Sequence, residues 1–96
     1  MPETTKDTGR KIVNKDVINS ARLETFRELS RRLNQKGFGT LASKHEILGV
    51  ITEEYHELIH AIESNVPLEQ VQKELRDIAV GCIFGDACIM NETVDW

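Results

Sequence analysis

Apolar residues recur every three to four positions in three stretches of the chain, and this spacing predicts three α-helices. The first predicted helix covers residues 16–35. Its apolar face consists of Ile18, Phe26, Leu29 and Leu33, with Leu23 at the edge. No stretch shows the alternation with a period of two that indicates a β-strand. We therefore predict an all-α fold, a helical bundle of three main helices.

The second predicted helix begins at a capping signal and covers residues 43–64. Ser43 and Glu46 match the S-x-x-E capping box, in which the serine side chain accepts a hydrogen bond from the glutamate backbone N–H. The apolar positions of this helix are Ile47, Leu48, Val50, Ile51, Tyr55, Leu58, Ile59 and Ile62. Gly37 and Gly39 precede it and predict a loop that ends the first helix.

The third predicted helix runs from Pro67 to about Met90, because a proline suits the first turn of a helix. Its apolar positions are Val71, Leu75, Ile78, Val80, Cys82, Phe84 and Ile89. Gly81 and Gly85 lie inside this helix, where each costs about 1 kcal/mol relative to alanine. Because they are four positions apart on one face, we predict that they let another helix or a ligand approach closely.

The length of 96 residues predicts one domain over residues 16–96, preceded by a flexible polar arm over residues 1–15. A chain of this size buries only roughly 65% of its unfolded surface, so its core is marginal and oligomerisation would help to complete it. The net charge is −4, with no block of Lys or Arg. This charge argues against binding to nucleic acid or to an anionic membrane surface.

Several features predict a cytoplasmic protein. No run approaches the roughly 18 apolar residues that a membrane-spanning helix needs. The first fifteen residues are polar and lack the apolar segment of a signal peptide. The two cysteines, Cys82 and Cys88, point about 120° apart on a helix, which disfavours a disulfide between them. We expect both to be buried, reduced thiols.

Two acidic pairs provide the candidate chemistry. Glu54 and Glu57 lie on the second predicted helix, and Glu74 and Asp77 on the third, each pair with the i, i+3 spacing that makes side chains neighbours. At about 100° per residue, Glu54 and Asp77 fall within the apolar arcs of their helices and Glu57 falls at an edge. Buried carboxylates must be paired, protonated or bound to a metal, and Lys73 is the nearest cation in the pattern.

All-oxygen ligands favour Mg²⁺, or alternatively Mn²⁺, over zinc. The alternative interpretation is that these residues are ordinary surface acids in a chain that is 29% charged. The segment from His56 to His60 also matches the H-E-x-x-H zinc-protease motif. The helical wheel places both histidines opposite the apolar arc, so we expect a solvated face rather than a zinc site.

Basic and aromatic residues supply candidates for substrate contacts. Lys36, Lys44 and Lys73 are the cations placed to meet a phosphate near the acids, and each also fits a surface lysine. Arg22 interrupts the apolar face of the first helix, where its stem can pack while the guanidinium reaches water. Contact with the acids or with a substrate is the other role open to it. Phe38, between two glycines, is suited to stacking on a base or to core packing.

The segments GVITEEYHELIHAI and ELRDIAVGC resemble the MazG-like all-α nucleoside triphosphate pyrophosphohydrolases, which carry EExxE on one helix and ExxD on the next. The resemblance covers about half of the chain. It implies Mg²⁺ ligation by Glu54, Glu57, Glu74 and Asp77, with Glu53 as an accessory acid or base. In the mechanism that we infer from this, Glu53 or Glu57 orients or deprotonates the attacking water. It also implies hydrolysis of a nucleoside triphosphate to the monophosphate and pyrophosphate, and assembly as a dimer or tetramer.

The chain departs from this family pattern after ExxD. Many members carry an asparagine or a basic residue one or two turns further on, whereas residues 78–86 read IAVGCIFGD and contain neither. Phosphate contacts would then come from the N-terminal half, from the loop at Lys36 or from another subunit. This departure keeps open a second interpretation, a non-catalytic helical module that binds a nucleotide or serves dimerisation.

Overall fold

The computed structural model describes residues 9–96 of the chain. These residues form three α-helices and no β-strand: α1 (Lys15–Lys36), α2 (Lys44–Glu63) and α3 (Leu68–Met90). The predicted all-α fold with three main helices is therefore confirmed. Of the predicted N-terminal arm, residues 1–8 lie outside the described residues, and Lys15 already belongs to α1.

The helix ends follow local hydrogen bonding. Ser43 Oγ accepts a hydrogen bond from the backbone N–H of Glu46 at 3.1 Å, which is the predicted cap of α2. Gly37 ends α1 with a φ of 82°, a conformation that favours glycine, and its N–H donates to the carbonyl of Leu33 at 2.8 Å. Pro67 occupies the N-cap position of α3, one residue before the predicted place in the first turn.

Helices α2 and α3 pack as an antiparallel hairpin, and two glycines set their separation. A Cβ atom at Gly81 would lie 3.0 Å from Ile51 Cδ1, and one at Gly85 would lie 3.0 Å from Ile47 Cγ2. These distances are shorter than an ordinary van der Waals contact, so a side chain at either position would require the facing isoleucine to shift. The prediction that Gly81 and Gly85 permit a close approach is confirmed, and the approaching element is α2.

The core within a single chain is small. Among the described residues, the buried hydrophobic residues are Ala61, Val80 and Cys88, and α1 contains no buried residue. The predicted apolar face of α1 is exposed over its first half, where Phe26 is 64% exposed. Several apolar positions predicted on the other two helices are exposed as well: Leu48, Tyr55, Ile62, Leu75 and Ile89. The helical period marks an apolar face, and in these places no element within residues 9–96 covers it.

Burial corrects two further predictions. Cys88 is buried, as predicted, but Cys82 is exposed because it lies on the far side of α3, and both thiols are free. Phe38 is 75% exposed, so its predicted core packing is wrong.

None of the helices in residues 9–96 is long and apolar enough to cross a membrane.

The C-terminal residues return to the start of α2. The N–H of Asp95 donates to the carbonyl of Ala42, and the N–H of Lys44 donates to the carbonyl of Trp96, both at 2.7 Å. The Trp96 ring also lies 5.6 Å from the ring of His45. The α2–α3 hairpin is therefore connected at both ends, by the turn before Pro67 at one end and by this tail at the other.

Candidate metal centre

Four carboxylates converge where the middle of α2 faces the first half of α3. Glu54 and Glu57 extend from α2, and Glu74 and Asp77 extend from α3. One oxygen atom from each of the four residues lies within 4.8 Å of the others. The i, i+3 spacing brings the members of each pair together, and the close packing of the hairpin brings the two pairs together. We call these four side chains the acid cluster.

The acid cluster is buried to different degrees. Asp77 is 2% exposed and Glu74 is 6% exposed, whereas Glu57 is exposed to solvent. The Glu54 side chain retains 16% of its accessible surface. The predicted inward positions of Glu54 and Asp77 and the edge position of Glu57 agree with this placement. Burial of several carboxylates is unfavourable unless cations or hydrogen-bond donors compensate them.

Two of the buried carboxylate oxygens, Glu54 Oε2 and Glu74 Oε2, have no hydrogen-bond partner among the described residues. The other oxygen of Glu74 accepts a hydrogen bond from Gln70 Nε2 at 2.8 Å. A buried carboxylate oxygen without a donor is expensive, and direct ligation of a metal ion would satisfy it. These unpartnered atoms show that the donor set fits a hard divalent cation.

Arg32 is the functional residue that the sequence prediction missed. It donates a hydrogen bond to Asp77 Oδ1, and its Nη1 lies 3.8 Å from Glu54 Oε1. Its Nε also donates to Glu28 Oε1 at 3.4 Å, one turn earlier on α1. A signal was present, because Arg32 lies beside Leu29 and Leu33, the half-buried part of the α1 apolar face.

The other basic residues predicted from the sequence differ in whether they contact the acid cluster. Lys73 Nζ donates to Asp77 Oδ2 at 3.1 Å, so this cation does contact the acids, but the prediction that it is the nearest cation is wrong because Arg32 lies closer to Asp77. Lys36 lines a pocket together with Arg32. Lys44 is exposed in the first turn of α2, and Arg22 is exposed on α1. In residues 9–96, no hydrogen bond or ion pair joins either of these two to the acid cluster.

Neighbouring negative charges and burial disfavour ionisation within the acid cluster. Burial, followed by the charges of Asp77 and Glu57, raises the pKa of the Glu54 carboxyl above its ordinary value of 4.5, and Arg32 opposes this shift only in part. If all four acids are ionised, Arg32 and Lys73 compensate two of the four charges. The remaining two negative charges equal the charge of one divalent cation.

Two cavities border this network. An open groove of about 810 Å³ between α2 and α3 is lined by three acids, Glu53, Glu57 and Glu74, and also by Gln70. A second pocket, of about 320 Å³, lies between the end of α1 and the hairpin and is lined by Arg32, Lys36, Val50, Gly81 and Phe84. The acid cluster is therefore accessible from the groove, while the arginine that contacts it also borders the apolar pocket.

The two histidines of the H-E-x-x-H segment, His56 and His60, are exposed along the groove, as predicted. Within residues 9–96, the group of side chains positioned to share a metal ion contains carboxylates and no histidine. This donor set disfavours zinc.

No protein family, curated protein or solved structure matches this chain significantly. The chemistry of the site is therefore the basis for any functional conclusion.

Proposed function

We propose that the chain is a Mg²⁺-dependent nucleoside triphosphate pyrophosphohydrolase of the MazG-like kind, which releases a nucleoside monophosphate and pyrophosphate. The observation that supports this proposal most directly is the pair of unpartnered buried oxygens, Glu54 Oε2 and Glu74 Oε2, within a group of four carboxylates. The order of acids along α2 and α3, EExxE followed by ExxD, is the second support.

In this proposal the acid cluster holds Mg²⁺, or alternatively Mn²⁺, through carboxylate oxygens. A divalent ion in such a site neutralises triphosphate charge and lowers the pKa of a bound water. Glu53 and Glu57 are the candidates for orienting and deprotonating the attacking water, because both are exposed along the groove next to Glu74. Attack at the α-phosphorus breaks the bond to the pyrophosphate leaving group.

Positive charge for the triphosphate comes from outside residues 78–86, which lack a basic side chain. Arg32 and Lys73 already contact the acid cluster, and Lys36 borders the pocket beside Arg32. Because Arg32 is already paired with three carboxylates, Lys36 and Lys73 are the candidates for phosphate contacts in this proposal. Lys44 is a weaker candidate, since it contributes only if a substrate extends toward the first turn of α2.

We also propose that the protein works as a homodimer or homotetramer. Large apolar side chains are exposed on all three helices: Val17, Leu23 and Phe26 on α1, Leu48 and Tyr55 on α2, and Leu75 and Ile83 on α3. A chain of 96 residues with so small a core gains stability when a second copy covers such faces.

The test is release of pyrophosphate from a panel of canonical and damaged nucleoside triphosphates in the presence of Mg²⁺. Glu54→Gln should abolish release, because an amide cannot replace the ligating charge. Glu63→Gln, at the exposed end of α2, is the matched control and should retain full activity. Absence of release across the whole panel would refute the enzyme assignment.

A second candidate function is a non-catalytic helical module, and the pairing of Asp77 with Arg32 and Lys73 favours it, because these cations compensate the acid without a metal. Under this alternative, Glu54→Leu should stabilise the fold, since a partly compensated buried acid is removed. Under the metal-site proposal, the same variant should instead lose the stabilisation that Mg²⁺ gives the wild-type protein. Thermal melts with and without Mg²⁺ separate the two functions.

A further inference from the structure

The two carboxylate oxygens of Asp77 contact two different cations. Oδ1 accepts a hydrogen bond from Arg32, and Oδ2 accepts one from Lys73 at 3.1 Å. The Asp77 side chain is only 3% exposed, so these two cations provide its main charge compensation. A metal ion that ligates Asp77 must therefore share or replace one of them.

Arg32 is held in place by more than this one contact. It also lies near Glu54 and donates to Glu28, so it joins carboxylates on all three helices. Its side chain is 21% exposed, and its planar group with several fixed donors suits such a bridging position. Removal of Arg32 from Asp77 would disturb three ion pairs at once.

Lys73 is held weakly by comparison. Its side chain is 59% exposed, and Asp77, four residues later on the same helix, is its one ion-pair partner in the described part of the chain. Exposed pairs of this kind contribute little to stability, and a lysine ammonium is readily solvated by water. Lys73 can therefore leave Asp77 at small cost.

The individual oxygens indicate where a cation would bind. Arg32 lies near Glu54 Oε1 and Gln70 donates to Glu74 Oε1, which leaves the Oε2 atoms of both glutamates without a partner. Since Arg32 contacts Asp77 Oδ1, the oxygen of Asp77 left for the same cation is Oδ2. This oxygen is the one that Lys73 contacts.

We propose that Lys73 is an exchangeable counter-ion of the acid cluster, which a divalent cation displaces from Asp77 Oδ2 and which then binds the phosphate chain of the substrate. Displacement of Lys73 by a cation requires only that the acid cluster binds a metal. The binding of Lys73 to phosphate also rests on the proposed function. The displaced ammonium stays near the site on its four-carbon stem. A triphosphate bound at the metal would bring negative oxygens within its reach, so the binding of metal and of phosphate would be coupled.

The experiment compares Lys73→Met with the wild-type protein in two titrations. In the first, Mn²⁺ alone is titrated by calorimetry, and the variant should bind it roughly three- to fivefold more tightly, because the competing ammonium is absent. In the second, a preformed complex of Mn²⁺ and inorganic tripolyphosphate is titrated. The variant should bind this complex about tenfold more weakly, because one charged hydrogen bond is lost. Lys73→Arg should restore much of the second affinity.

The matched control is Arg76→Gln, which removes one positive charge from the residue next to Asp77 in sequence. Arg76 makes no ion pair among the described residues, so both affinities should stay within about twofold of wild type. If Lys73→Met behaves like this control, Lys73 is a surface lysine and the proposal is wrong. If both affinities fall in Lys73→Met, Lys73 only supports the cluster, and the proposal is also wrong.

The remaining outcomes separate this proposal from the proposed function. Opposite changes in the two titrations, together with no pyrophosphate release from any nucleotide, would support the exchange and refute the enzyme assignment. Absence of Mn²⁺ binding to the wild-type protein would refute both proposals, because no cation would then compete for Asp77 Oδ2.

Discussion

Arg32, near the end of α1, forms an ion pair with Asp77 in the interior of α3, across 45 positions of sequence. Among residues 9–96, the ion pairs that join α1 to the hairpin all come from Arg32, and α1 itself buries no residue. Arg32 also contributes positive charge to an acid cluster that has little of it. Arg32 therefore has a structural role and an electrostatic role. Substitution of Arg32 tests the structural role through the stability of the fold.

Arg32→Gln should lower the free energy of unfolding by about 2–3 kcal/mol, measured in urea without divalent cations. Loss of one partner of a buried pair typically costs about 3–5 kcal/mol, and the remaining Lys73 contact reduces this. Arg27→Gln is the control, because Arg27 pairs with Glu24 on the exposed side of the same helix. Its effect should stay below about 1 kcal/mol, and equal effects of the two variants would contradict a buried role for Arg32.

Substitution by alanine at two glycines of the hairpin should change the stability of the protein in opposite directions. Gly85→Ala should destabilise the protein by about 1 kcal/mol or more, because its Cβ would lie 3.0 Å from the branched Cγ2 of Ile47. Gly49→Ala should stabilise it by up to about 1 kcal/mol, since no atom lies within 4 Å and alanine favours a helix. Urea unfolding measures both, and stabilisation by Gly85→Ala would show that α2 and α3 separate without cost.

The sequence predicted those parts of the structure that depend on local pattern. The helix limits followed from capping residues such as Ser43, and the acidic pairs followed from a spacing of three on a helix. The close approach at Gly81 and Gly85 was also correct, because residues without a side chain on an apolar face mark where another helix packs.

The parts that were missed depend on how the helices pack against one another. Arg32 reaches Asp77 because of the way α1 crosses α3, and the helical period contains no information about that crossing. Exposure of Phe26 has a similar origin, since a period identifies an apolar face but not the surface that covers it. Cys82 was expected to be buried because it was counted among the apolar positions of the third helix, whereas its position around α3 faces solvent.

The raised pKa of Glu54 predicts a pH dependence of stability. A carboxyl whose pKa is higher in the folded than in the unfolded protein binds its proton more tightly when folded. Its contribution is therefore fully present below the unfolded value of about 4.5 and is lost as the pH rises through the folded pKa. With a chelator present, wild type should gain stability relative to Glu54→Gln as the pH falls toward 4.5.

Urea unfolding of both proteins over a series of pH values measures this difference. The pKa of Glu28, which the neighbouring Arg31 and Arg32 lower, changes stability in the opposite direction but does so in both proteins. Its effect therefore cancels in the comparison. Parallel pH profiles of the two proteins would show that burial does not perturb Glu54.

The exposed face of α1 predicts an effect on assembly. Phe26→Glu should dissociate the proposed homo-oligomer, because it places a charge on an apolar surface that a second copy would cover. Sedimentation velocity measures the change in mass. Ser20→Glu adds the same charge at an exposed position of the same helix and should leave the assembly intact. A wild-type monomer at every concentration would contradict the proposed assembly.

The backbone pairing of the C-terminal tail with the start of α2 has a consequence at a distance. A helical hairpin fixed only at its turn can splay at its open end, and any such splaying changes the gap between Glu54 and Asp77. The bonds from Asp95 to Ala42 and from Lys44 to Trp96 oppose this motion. If the acid cluster binds a cation as proposed, removal of the last two residues should weaken the affinity for Mn²⁺, measured by calorimetry, although the truncation changes none of the ligands.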